Sequence, residues 1–234
     1  MTVLLVMAKA PVAGEVKTRL CPPASPRQAA RIAAAALRDT VEAVRAAPGV
    51  VPVLALRGRF ADAEDGPALR AAVAGWTVLA QRGGDLGDRL ANAHADVAAA
   101  WPGRPVLQIG MDTPQLTSAL LGAAARRLAA GGVPPGRAAD ALLGGAADGG
   151  WWALGLRDPR HAEVLRTVPM STAETGRRTW AALDRRGLRV APLPVVRDVD
   201  EWADALAVAA AVPGSRFARQ VATTRPVLVP GGHR

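Results

Sequence analysis

Apolar residues in this chain fall into short continuous runs separated by longer, Ala-rich stretches. The continuous runs cover residues 3–8, 50–56, 76–80 and 105–109, and the polar clusters sit just after them. Hydrophobicity that does not alternate marks a strand covered on both faces, as in a parallel sheet. Helical signals lie between. Ser25-Pro26-Arg27-Gln28 sets a Ser at the N-cap, Pro at the first helical position and Gln three residues on. This predicts a helix to about residue 47, stopped by Pro48-Gly49. Further helices are predicted over 67–74, 86–100 and 116–130, and strands over 138–144 and 152–156. A second capping box, Ser171-Thr172-Ala173-Glu174, predicts a helix to about residue 186. A late strand over 188–196 and a helix over 201–211 complete the pattern.

Strands alternating with helices imply an α/β fold, a Rossmann-like three-layer α/β/α arrangement around a mostly parallel central sheet. Ligands then bind beyond the carboxyl ends of the strands, where the polar clusters lie. Residues 1–212 are expected to form a single domain. Residues 213–234 carry Arg216, Arg219, Arg225 and Arg234 without a carboxylate and are expected to be a loosely held basic tail.

Composition narrows the function. Half of the 234 residues are hydrophobic, enough for a sizeable core. The formal net charge of +9 suits a polyanionic partner. With two Phe and no Tyr, a stacking platform for single-stranded nucleic acid is not expected, so the partner is read as a phosphorylated small molecule. Cys21 is the lone cysteine and forms neither an internal disulfide nor a metal cluster. His94, His161 and His233 lack metal-ligand spacing and read as packing or surface residues. No apolar run approaches the roughly 20 residues of a membrane span, and the first run meets Lys9 too soon for a signal peptide, so a cytoplasmic location is expected.

Five clusters carry candidate chemistry. Lys9 to Leu20 follows the first strand and combines small residues with Lys9, Lys17 and Arg19, suited to phosphate oxygens. It is neither a Walker loop nor a G-x-G-x-x-G turn. Gln81 to Leu90 is a second strand-loop-helix junction, where Asp85 either caps the helix or meets a ligand. Asp112, after the most buried strand, is a hard oxygen ligand suited to Mg2+ or Mn2+. Asp148-Gly149-Gly150-Trp151-Trp152 is a turn whose tryptophans pack as core or wall a sugar site. Arg197-Asp198-Val199-Asp200 precedes the last helix and offers a second metal carboxylate near Asp112, or merely a helix cap.

The order of these clusters resembles the DUF2064 family of candidate glycosyltransferases, within the nucleotide-diphospho-sugar transferases of glycosyltransferase-A fold. Members read F-A-K-A-P-x-P-G-x-V-K-T-R-L, matched by residues 7–20. They carry G-G-D-L-G-x-R-L (83–90), I-G-x-D-x-P-x-L (109–116), D-G-G-[YW]-[YW]-L-x-G-L (148–156), a W-S-T segment and a closing D-V-D-T-x-x-D-L. The resemblance spans about residues 1–211. Met170-Ser171-Thr172 lacks the tryptophan, and Glu201 replaces the closing Thr. Pro114 stands in the second place of the Asp-x-Asp metal motif, as in the D-x-P of related nucleotidyltransferases.

The resemblance implies that Ala8, Lys9, Gly14, Lys17, Thr18, Arg19, Gly83, Gly84, Asp85, Gly87 and Arg89 bind the nucleotide. It implies that Gly149, Gly150, Trp151, Ser171 and Thr172 bind the sugar or acceptor. Asp112 and Asp148 would be catalytic, and Asp112 and Asp200 would hold Mg2+ or Mn2+. The implied activity is transfer of a sugar from a nucleoside-diphosphate sugar to a small-molecule acceptor. The alternatives are joining a nucleoside triphosphate to a small phosphorylated or hydroxylated molecule, and a degenerate nucleotide-binding protein.

Overall fold

The computed structural model describes residues 1–130 and 139–224. The first residue of the strand expected from 138, and Arg225, His233 and Arg234 of the expected tail, lie outside the described residues. The strands are β1 (Thr2–Lys9), β2 (Val50–Arg57), β3 (Thr77–Ala80), β4 (Val106–Ile109), β5 (Ala141–Ala146), β6 (Trp151–Leu156) and β7 (Val190–Val196). They form one sheet in the order β3-β2-β1-β4-β6-β5-β7. β1 pairs in parallel with β2 and β4, β2 with β3, and β5 with β7; β6 runs antiparallel to both its neighbours. The sheet is thus mostly parallel, and its order reverses beside β1, where β2 and β4 lie on opposite sides.

The continuous apolar runs have the predicted consequence. In β1, Leu4, Val6 and Ala8 pack under the first helix layer, and Val3, Leu5 and Met7 under the second. The first layer holds α1 (Pro26–Arg45), α2 (Gly66–Ala72) and α4 (Ser118–Ala129). The second holds α3 (Leu86–Ala100), a 3-10 segment (Pro159–Thr167) and α5 (Thr175–Asp184). Ser25 caps α1 in the predicted box with Gln28. The small residues of α1 serve two sides. Ala30, Ala33, Ala34 and Leu37 meet the sheet, whereas Ala29, Ile32 and Ala36 meet α6 (Trp202–Ala211) and α7 (Arg216–Thr223).

Two expectations need correction, and one segment is additional to them. Residues 213–224 are not loose: Ser215 caps α7, Phe217 is fully buried, and the Asp39 carboxylate accepts from the Phe217 backbone N–H at 2.8 Å. The Ser171 capping box does not form. Ser171 sits at φ 59°, Glu174 is the N-cap of α5, and the Thr172 N–H donates to the Thr175 hydroxyl at 3.0 Å. The Pro159–Thr167 segment was not predicted; its Ala162, Val164 and Leu165 are apolar enough to close the second layer.

His94 on α3 is wholly buried and hydrogen-bonded to Gln108 of β4 at 3.1 Å. Burial lowers its pKa to about 4, against a weaker opposing effect of that hydrogen bond. The unfolded chain therefore takes up a proton near pH 6.5 that the folded chain refuses until about pH 4. Stability from this group is complete above pH 6.5 and is lost as pH falls towards 4, by about 1.4 kcal/mol per pH unit and roughly 3 kcal/mol in all. Chemical denaturation between pH 7 and pH 4.5 should show this slope, and His94→Gln should flatten it. A slope unchanged in the variant would assign it to the carboxylates.

Candidate functional site

Three loops meet at the carboxyl end of the sheet: the one after β1, the one after β4, and the one before α6. Lys17, held at φ 49°, joins them. Its ammonium lies 2.7 Å from Asp112 Oδ1 and donates to the Val199 carbonyl. The Val199 N–H in turn donates to the Asp112 carbonyl at 2.9 Å. Arg19 makes a salt bridge with Asp200, one residue further on. The basic loop is thereby fastened over the residues expected to bind metal.

Asp112 stands between two recesses. One, of about 230 Å³, is lined by Thr18 and by Lys9, Lys17 and Arg19, each ion-paired to a carboxylate of the same lining (Glu15, Asp112 and Asp200 respectively). The other, of about 290 Å³, contains Asp112, Asp148 and Asp198 together with Trp151, Ser171 and Thr172, and Met7, Leu86, Leu90 and Met170 also line it. No Lys or Arg among the described residues lines this second recess. Burial pushes the Asp198 carboxyl up from its usual range; the Asp148 charge adds to this, Lys17 opposes it, and Asp112 adds a little more. Three carboxylates thus share one region, and only Asp112 has a salt-bridged cation.

This donor set fits a hard divalent cation. Among the described residues no three His, Cys, Asp or Glu side chains converge as a complete protein cage. Magnesium does not need one, because it typically takes one or two carboxylates and fills its shell with water and phosphate oxygens. Asp200, the expected second ligand, is engaged by Arg19 and lies in the basic recess. Asp198 faces the recess shared by Asp112 and Asp148, and makes no salt bridge among the described residues.

The other expected residues divide by role. Lys9 bonds back onto Glu15, through its carboxylate at 3.2 Å and its carbonyl at 2.8 Å. Gly150, Trp151, Ser171 and Thr172 line the second recess. Asp148 also lines it, while its Oδ1 accepts from the Gly150 N–H at 2.8 Å in a turn. Trp152 is core, its indole N–H donating to the Pro194 carbonyl at 2.9 Å, whereas that of Trp151 donates to the Thr179 hydroxyl at 3.1 Å.

Ala8, Gly14, Gly83, Gly84, Asp85, Gly87, Arg89 and Gly149 line neither recess. Asp85 caps α3 by accepting from the Asp88 N–H at 2.8 Å. At Gly87 a Cβ would stand 2.4 Å from the Leu165 carbonyl oxygen, so this glycine lets α3 approach the 3-10 segment. The Arg89 guanidinium donates to the Gly84 carbonyl at 3.0 Å; burial, then the neighbouring charge of Arg57, lowers its pKa. Gln108, Thr113 and Met170 line the second recess although none was among the expected site residues. The one available signal was Gln108, a polar residue inside the apolar run Val106-Leu107-Gln108-Ile109.

No helix among the described residues is long and apolar enough to cross a membrane. Residues 40–172 match the profile of the family described as uncharacterized proteins conserved in bacteria, DUF2064. No curated protein matches the chain. Among solved structures, the chain is similar to a candidate nucleotide-diphospho-sugar transferase from Desulfovibrio desulfuricans G20, with TM-score 0.78 and 25% identity over 95% of this chain and 94% of that one. It shares its fold with a cytidylyltransferase from Leptospira borgpetersenii serovar Hardjo-bovis, with TM-score 0.57 and 14% identity over 95% and 93% of the two chains. It also shares it with a CMP:2-keto-3-deoxy-manno-octonic acid synthetase solved with CTP, with TM-score 0.53 and 13% identity over 91% and 99%.

Proposed function

From the premise that the chain belongs to the DUF2064 family, we propose that it is a divalent-metal-dependent glycosyltransferase that moves a sugar from a nucleoside-diphosphate sugar to a small-molecule acceptor. The observation that carries this reading is the contrast between the two recesses beside Asp112. The first gathers Lys9, Lys17 and Arg19, each held by a carboxylate from which a leaving diphosphate can take it over. The other has three carboxylates, Trp151, hydroxyls and no cation, which suits a neutral, hydroxyl-rich group and repels a phosphorylated one. The similarity to the Desulfovibrio protein supports the same reading.

In this scheme Lys17 and Arg19 hold the phosphates, leaving Asp112 and Asp200 respectively to do so. Asp112 and Asp198 would hold Mg2+ or Mn2+, which when bound supplies positive charge for the developing diphosphate. Asp148 keeps Oδ1 on the Gly150 N–H, and its Oδ2 is then placed to accept a hydrogen bond from a hydroxyl in the recess. Trp151, Ser171 and Thr172 line the wall against which the sugar sits. A location in the cytoplasm and independence of nucleic acid belong to the same proposal.

The test is thermal denaturation with nucleoside triphosphates, nucleoside diphosphates and nucleotide-sugars, with and without Mg2+ or Mn2+. A ligand at about a hundred times its Kd adds about 2.7 kcal/mol, which for a chain of this size raises Tm by roughly 5–10 °C. A metal-dependent rise with one nucleotide-sugar is expected. A rise confined to a triphosphate would replace the proposal by nucleotidyl transfer, the reading that the Pro114 of the D-x-P pattern favours.

Lys17→Ala gives a second check with opposed signs. Lys17 is the internal counter-ion of Asp112, so its removal should strengthen Mn2+ binding in the absence of nucleotide. The same change should weaken nucleoside-diphosphate binding about tenfold or more, the loss of one charge-assisted hydrogen bond. Titration calorimetry reads both, and a parallel loss of the two affinities would contradict the counter-ion role.

A further inference from the structure

The floor of the second recess holds a polar pair outside the scheme above. Gln108 of β4 is 2% exposed and His94 of α3 is 0% exposed. The His94 Nε2 and Gln108 Oε1 lie 3.1 Å apart. His94 Nδ1 is buried without a hydrogen-bond partner among the described residues. An orphaned N–H in an apolar interior is costlier and rarer than an orphaned lone pair. The proton therefore sits on Nε2, which donates to Gln108 Oε1, and Nδ1 carries none. This fixes the amide: its oxygen faces α3 and its NH2 faces the recess. Among the described residues no acceptor receives that NH2, although Gln108 lines the recess.

We propose that Gln108 is a specificity-determining residue, whose side-chain NH2, oriented by His94, donates a hydrogen bond to a hydroxyl oxygen of the transferred sugar. The inference rests on the glycosyl-transfer reading of the site. Position and chemistry select the partner. Gln108 lines the recess together with Met7, Leu86, Leu90 and Met170 and adds an uncharged donor to a lining whose charged groups are all carboxylates. A phosphate would meet Asp112, Asp148 and Asp198 there, of which Asp112 alone is salt-bridged to a cation among the described residues. A neutral hydroxyl accepts from Gln108 and can donate to one of those carboxylates. A buried donor of this kind discriminates strongly, because a substrate lacking the oxygen leaves it unpaired. The low pKa of His94 keeps the imidazole neutral through the physiological range and so holds the amide in one orientation.

The experiment is calorimetric titration, in Mn2+, of UDP-glucose against UDP and of GDP-mannose against GDP. Wild-type protein is compared with Gln108→Met and with the double variant His94→Leu/Gln108→Met. Replacing both partners by apolar groups is close to neutral for folding, so the double variant guards against a collapse of the single one. The expected result is a roughly tenfold loss of nucleotide-sugar affinity in both variants, with the matching diphosphate bound within twofold of wild type. Unchanged sugar affinity in a folded variant, or an equal loss for sugar and diphosphate, overturns the role of Gln108 and leaves glycosyl transfer standing. Wild-type protein that binds triphosphates with metal but none of the nucleotide-sugars overturns glycosyl transfer, and this inference with it.

Discussion

Asp112→Asn is expected to abolish metal-dependent nucleotide binding and to cut turnover by at least about a hundredfold, the scale seen when one preorganised electrostatic contact is lost from an active site. The substitution keeps the shape of the side chain and removes its charge. Two interactions depend on that charge: the ion pair with Lys17 at 2.7 Å and the proposed hold on the cation. A neutral amide oxygen is a weaker ligand for Mg2+, and Asp198 alone leaves the ion to water and phosphate. Lys17 keeps the Val199 carbonyl, and the Asp112 carbonyl keeps the Val199 N–H, so the three loops stay joined. The Asp112 side chain is 43% exposed, and an ion pair so placed contributes about 1 kcal/mol or less to stability. Tm without ligand should therefore stay within a few degrees of wild type, while the rise caused by metal and nucleotide disappears. A full metal-dependent rise in the variant would remove Asp112 from the metal site.

The fold was legible because both faces of the sheet are covered. In β1, Thr2–Lys9, every residue from Val3 to Val6 is fully buried, and such a run marks a strand covered on both faces. The turn signals between runs then separate strand from helix. What the sequence hid were elements whose burial comes from distant partners. The helix of Phe217 reads as a basic tail until Asp39, 178 residues away, accepts its backbone N–H. The Ser171 box reads as a helix start, but Thr175 is drawn to the Pro169 carbonyl at 2.9 Å and the helix begins later.

The candidate site shows the same division. Asp112 stood out as an acid directly beyond an apolar strand. Spacing could not show that Asp198 and Asp200 line different recesses, nor that Arg19, contributed by another loop, pairs with Asp200. The glycines of residues 83–87 illustrate the opposite case. A glycine-rich turn before a helix has the same appearance whether it admits a ligand or a neighbouring carbonyl. At Gly87 the carbonyl is that of Leu165, which no sequence spacing announces. Gln108 was visible as a polar break in an apolar run, but its meaning depends on His94, which reaches it from a helix 14 residues earlier.

Gly149→Ala should be the most damaging single-methyl change near the site. Gly149 has φ +88°, a conformation that costs an L side chain about 1 kcal/mol or more. Its added Cβ would lie 2.1 Å from the Ala173 carbonyl oxygen and 2.8 Å from the Ala173 carbonyl carbon, both backbone atoms. Relief requires the 148–150 turn or the start of α5 to move, and either movement breaks the Gly176 N–H bond to the Gly149 carbonyl at 2.9 Å. Overpacking of this kind costs about 1–3 kcal/mol, so with the backbone strain the total is about 2–4 kcal/mol, or a Tm lower by roughly 4–16 °C. The displaced segments carry Asp148, Ser171 and Thr172, which all line the sugar-side recess. Nucleotide-sugar binding should consequently fall further than binding of the diphosphate alone, whose expected contacts lie with Lys17 and Arg19. Gly145→Ala is the matched control: the nearest atom to its added Cβ is the Val195 side chain at 3.7 Å, an ordinary contact. Melting curves that place the two variants together would show that the turn at Gly149 is more compliant than its contacts imply.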